Sequence, residues 1–247
     1  MRAFLVVVFV FGSAGAQARP VTQRPVEVPI VAGAGYDALD VNRLSLVATR
    51  SSIIIDGQPI TRTNAANELV IPQLKHVLEQ RLDARAKPEL TMFLDKATPY
   101  RSLIEIVFTA REAGIKEFYL ATQTTRGAVA AKLTMPRSDE LAGAATPGMM
   151  VSVLEHEILI WSRSGLEGSL AKPKHVIPLG PDALHELTAA LSNIAQRWWP
   201  AERHDPSRVI ALQADANVPA QTIAHVIGAV RATADGGVLF PNVALAG

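Results

Sequence analysis

The chain of 247 residues contains no cysteine, so it has no disulfide framework, a condition permitted but not required in an oxidising compartment. It also lacks surplus charge. Its 24 basic and 23 acidic residues nearly cancel, which removes the electrostatic reason to expect a nucleic-acid partner. The longest apolar run, Ala3 to Phe11, is nine residues, against the roughly 20 a spanning helix needs. No glycine-rich loop ends in Lys-Ser or Lys-Thr to hold a phosphate. His156-Glu157 lacks the second histidine of a zinc helix, and His76, His175, His185, His204 and His225 show no ligand spacing. Ser162-Arg-Ser164-Gly165 follows Trp161 where a nucleophile elbow needs glycine. The expectation is a protein that is not an enzyme, with no catalytic residue, cofactor or metal. Charged residues at 19% and hydrophobic ones at 49% still indicate a folded chain.

What is present begins with a targeting signature. Arg2, the apolar run and the small-x-small sequence Ala16-Gln-Ala18 read as a signal peptide over residues 1–18, leaving 23 basic and 23 acidic residues in the exported chain. The alternative is an uncleaved N-terminal anchor, which alone would give membrane association. Residues 19–38 carry Pro20, Pro25 and Pro29 and read as an extended linker.

The most informative feature is a duplication. Asp95 and Asp215, Pro99 and Pro219, and Arg111 and Arg231 are each 120 residues apart, and Leu103, Ile106 and Val107 fall in register with Ile223, Val226 and Ile227. A repeat of this length is one supersecondary unit used twice. In each copy a short apolar run, Leu90–Leu94 or Val209–Ala214, suits a buried strand closed by the aspartate. Thr98-Pro99 reads as an N-cap followed by proline at the first helical position, and Gly114 as the end of that helix. Ile115–Ala121 and, after Asp235-Gly-Gly237, Val238–Val243 are the expected returning strands. Upstream, Pro72 opens a helix with Leu74, Val77, Leu78 and Leu82 on one face, and Gly180-Pro181 opens its counterpart with Leu184, Leu187, Leu191 and Ile194.

The run from Leu94-Asp95-Lys-Ala-Thr-Pro99-Tyr100 through Ala113-Gly114 to Thr122 resembles the ExbD/TolR family of biopolymer-transport proteins, and Ser52-Ile-Ile-Ile-Asp56-Gly57-Gln-Pro-Ile60 is similar to the strand, turn and strand that open that family's periplasmic domain. The second copy keeps Asp215 and Pro219 but has Ala220 where the first has Tyr100. The resemblance implies an α+β fold of two small ExbD/TolR-like domains, each a mixed sheet with helices packed on one face. The first covers residues 39–123 and the second, divergent one 149–247, joined by a linker at 124–148. It also implies a non-enzymatic periplasmic component of an energy-coupled transport or envelope-maintenance system, with ExbB/TolQ-like or TonB/TolA-like partners and peptidoglycan contact. The alternative is a soluble periplasmic scaffold or binding protein without motor coupling. The family's membrane helix carries an aspartate that couples to proton flow, whereas the first acidic residue of this chain is Glu27.

Four residues are candidate contacts. Asp95 and Asp215 either touch a partner or cap the following turn through their own side chains. Tyr100 stands either exposed at a domain edge or against the linker. Of the pair at the end of a helix, Trp198 belongs to the Leu191 and Ile194 face, and Trp199 is left as an interface anchor.

Overall fold

Alternate residues of Leu44–Ala48 are apolar and fully enclosed, the period-two pattern of a strand with one face on a core. The computed structural model describes residues 26–31, 36–40, 42–61, 68–82, 88–135, 148–199, 208–233 and 235–246. The signal-peptide segment 1–18 and the interval 136–147 lie outside them.

The chain runs through β1 (Asp37–Ala38), β2 (Leu44–Ala48), β3 (Ile53–Ile55), β4 (Gln58–Ile60), α1 (Pro72–Leu82), β5 (Glu89–Leu94), α2 (Tyr100–Glu112), β6 (Glu117–Thr124) and β7 (Gly127–Thr134). It continues through β8 (Met149–Val153), β9 (Glu157–Ser162), β10 (Gly168–Ser169), β11 (Lys172–Pro173), β12 (His175–Pro178), α3 (Ala183–Trp198), β13 (Val209–Ala214), α4 (Ala220–Arg231) and β14 (Asn242–Leu245). On one side β2 pairs antiparallel with β3 and parallel with β5, which pairs parallel with β6. On the other, β8 pairs antiparallel with β9 and parallel with β13, which pairs parallel with β14. The order of elements is therefore the same in both halves, and α+β is the architecture.

Both halves share one 12-stranded sheet, because β7 stands between them, antiparallel to β6 and parallel to β14. This corrects the expectation that 124–148 is linker throughout. Val129, Ala131 and Leu133 alternate with Ala130 and Lys132, and Ala130, Ala131 and Leu133 are fully buried. A Gly127 φ of +136° sets the turn from β6. Strand β7 thus replaces the two separate sheets expected by a continuous one. A single core cluster takes Leu90, Met92, Phe118, Leu133, Val243, Ile210 and Val151 from one sheet face and the apolar faces of all four helices, so the helices lie on that face. Tyr119, Met150 and Ala211 belong to the other face and are not in it.

Two local expectations change. Pro99 is the N-cap of α2, with extended φ and ψ of −70° and 151°, and no side chain caps the helix. Buried Thr98 instead donates its hydroxyl to Ala48 O at 3.2 Å. The last strand starts at Asn242 rather than Val238. Residues 238–240 fold back on the end of α4, with Leu239 N–H donating to Arg231 O at 2.8 Å and Phe240 fully buried.

Residues 26–31 of the segment assigned to the linker are docked on the first half. Val31 N–H donates to Gln123 O, and Gln123 N–H to Pro29 O, each at 2.8 Å. Val28 and Val31 are buried.

Candidate functional site

The two Asp-x-x-x-Pro turns meet each other. Tyr100 N–H donates to Val218 O and Ala220 N–H to Thr98 O, both at 2.8 Å. Arg101 N–H donates to Ala216 O and Gln221 N–H to Lys96 O, both at 3.0 Å. Each bond has its mate 120 residues away, and Pro99 bridges Pro219 antiparallel, so the contact is reciprocal. The first N–H groups of a helix have no partner inside it. Here the opposite turn supplies the carbonyls, which explains why neither helix needs a side-chain cap.

Three of the four candidate residues, Asp95, Tyr100 and Asp215, lie at these turns and are used differently, and the fourth, Trp199, lies at the end of α3. Asp95 Oδ1 accepts the Ala97 N–H at 3.0 Å, a turn-capping bond made by its own side chain. Asp215 is exposed, and its Oδ2 accepts the Glu155 N–H at 3.1 Å. Tyr100 is 3% exposed and lies inside the junction, its hydroxyl donating toward Leu212 O at 3.0 Å and Ala246 O at 2.5 Å. Burial raises its pKa well above that of an ordinary tyrosine, so the hydroxyl stays a donor. Trp199 is half-buried and meets Phe240 edge-on at 5.9 Å between ring centroids, with the Arg208 guanidinium 5.7 Å over its ring. Trp198 gives its indole N–H to Glu167 Oε1 at 2.6 Å.

A cavity of about 360 Å³ opens beside the second turn, lined by Leu154, Glu155, Leu179, Asp215, Asn217 and Thr222. Its two carboxylates have no ion pair among the described residues, and the lining supplies no nucleophile paired with a base. It suits recognition of a cationic group. Among the described residues no group of three or more His, Asp or Glu is placed to hold a metal ion.

Three arrangements escaped the sequence reading because their partners are distant in the chain. Glu167 is fully buried, 2.8 Å from Arg197 Nη1 and 3.0 Å from Lys174 Nζ. Burial alone would raise its pKa, but the Trp198 and Lys174 hydrogen bonds and the Arg197 charge hold it below the usual carboxylate value. The Gln221 amide grips the Ile30 peptide, accepting its N–H at 3.1 Å and donating to its O at 2.7 Å. His225 Nε2 lies 2.8 Å from the same oxygen. Lys96 pairs with Glu27, so the N-terminal segment straps both halves.

No helix among the described residues is long and apolar enough to cross a membrane. Comparison with curated proteins and with solved structures returns no match. Residues 1–125 match the family described as biopolymer transport protein ExbD/TolR, a span that ends one residue past β6. It takes in the docked strap, the Asp95 turn and the buried Tyr100, so the chain belongs to the ExbD/TolR family.

Proposed function

We propose that the protein is a non-enzymatic periplasmic component of an ExbD/TolR-type energy-coupled transport or envelope-maintenance system, acting by contact with envelope proteins or peptidoglycan. The observation that carries it is the family match over residues 1–125. The second half is proposed to be a divergent copy of the same domain. What supports this is the shared strand order and the reciprocal bonding of the two turns. One chain then holds what would otherwise be a pair of domains. Its partners are proposed to be ExbB/TolQ-like or TonB/TolA-like proteins, reached from the periplasmic side of the inner membrane.

A second reading, a periplasmic scaffold without motor coupling, is favoured by one fact. No acidic residue precedes Glu27, so the N-terminal apolar segment has no carboxylate to carry a proton. In-cell crosslinking of the exported protein separates the two. Capture of a proton-channel subunit supports the first, and an envelope phenotype on deletion without such capture supports the second. Neither capture nor phenotype would sink both.

A further inference from the structure

The two halves differ at one position in a way that names a ligand. The turn joining β2 to β3 and the turn joining β8 to β9 are equivalent. Thr49 N–H donates to Ser52 O at 2.9 Å in one, and Leu154 N–H to Glu157 O at 2.8 Å in the other. Asp95 N–H donates to Ala48 O at 2.8 Å, as Asp215 N–H does to Val153 O at 2.9 Å. These bonds place Arg50 opposite Glu155, and Ala97 opposite Asn217. In the first half the Arg50 guanidinium lies across the aspartate turn, its Nε donating to Ala97 O at 2.9 Å. In the second half that place is the 360 Å³ cavity, and the arginine is replaced by Glu155.

We infer that this cavity is a docking site for an arginine side chain of a partner protein segment, seated as Arg50 is seated in the first half. Glu155 and Asp215 supply the charge complement, and the Asn217 carbonyl stands where Ala97 O accepts Arg50. Leu154 and Leu179 line the cavity and give an arginine's methylenes an apolar wall. A planar guanidinium suits this set better than an ammonium, because it can serve a carbonyl and a carboxylate at once from fixed directions. The inference deepens the contact function proposed above and rests on it for the partner being a protein. The site itself rests on the geometry of the two turns.

The test uses the exported chain and two probes, N-acetyl-arginine amide and a short peptide with one central arginine, followed by amide chemical shifts. Saturable shifts at Glu155, Asp215 and Asn217 are expected. Glu155→Gln should weaken binding about fivefold, the scale of one exposed charge pair. Glu155→Arg should abolish it, since the cavity is then filled as in the first half. Arg50→Glu should create a second binding event at the Asp95 turn. Thermal melts of each variant confirm that the fold is kept. Absence of saturable shifts in a folded protein overturns the inference, as does binding that Glu155→Arg leaves intact. Equal binding of the lysine counterpart, or binding only of muropeptides, overturns the choice of a guanidinium-bearing protein segment. Arginine binding without in-cell partner capture would count against the contact function and not against the site.

Discussion

Between β3 and β4 the first half spends two residues, Asp56 and Gly57, with φ of 48° and 78°. The corresponding stretch of the second half, between β9 and β12, runs from Arg163 to Lys174 and contains the small β10–β11 ladder. Where the halves meet, by contrast, four hydrogen bonds agree to a tenth of an ångström. A residue at the junction must satisfy its own half and the other, whereas one at the outer edge answers only to its neighbours. Arg111 and Arg231 show the same division. Arg111 lines an open cavity of about 510 Å³, while its repeat mate is buried under β7 beside Tyr36 and Asp37. Burial lowers the Arg231 pKa, and the charges of Asp37 and Tyr36 act against that shift.

The largest effect should come from the shared core. Val107 and Val226 are fully buried on the core faces of α2 and α4, and aspartate at either places an unpaired charge there at several kcal/mol, about the whole stability of a domain. With one sheet through both halves, each substitution should unfold the entire chain in a single transition. Two separate transitions by calorimetry would show that the halves are independent.

Next is Glu167, which has no counterpart in the first half. Its partners Lys174 and Arg197 are each nearly half exposed, so Glu167→Ala should cost about 2–3 kcal/mol in urea unfolding, less than a fully buried pair. Because its folded-state pKa is depressed, the contribution is present above the ordinary value of 4.5 and is lost as pH falls through the lower, folded value. The gap between parent and variant should therefore hold from neutrality to about pH 4.5 and close below it. A gap independent of pH down to acid unfolding would mean the carboxylate is not the source.

Tyr100→Phe removes the buried hydroxyl bonds to Leu212 and Ala246 at the junction and should cost about 1 kcal/mol, read from the same denaturation curves. Loss of cellular activity with no change in stability would instead mark the hydroxyl as a contact group. Asp95→Asn should have the smallest effect, below about 0.5 kcal/mol, because the amide oxygen can still accept the Ala97 N–H. Full loss of activity at unchanged stability would assign that carboxylate a role beyond capping the turn.

The two β-α-β units were legible because their signals are local: an apolar run, an aspartate, a proline and a helical stripe within about 25 residues. The position of Pro99 was misread by one residue because the cap comes from Val218 and Ala216, more than 110 residues away. Strand β7 was lost to the linker because glycine, three alanines and flanking polar residues look like a connection until their partners in β6 and β14 are known. Glu167 reads as an ordinary surface acid, since Arg197 and Trp198 lie 30 and 31 residues on. The Arg50 and Glu155 pairing was readable in principle. It requires an offset of 105 upstream of the aspartate instead of 120, a shift that places Leu44–Ala48 on Met149–Val153.

The junction also changes what abundance means for this protein. Two domains docked in trans by a strand pairing, four backbone bonds and a shared core would separate as copy number fell, by mass action. Joined in one chain, each half meets the other at an effective concentration on the order of millimolar, set by the connection and not by expression. A cell making a handful of molecules therefore holds the same fraction in the paired form as a cell making thousands.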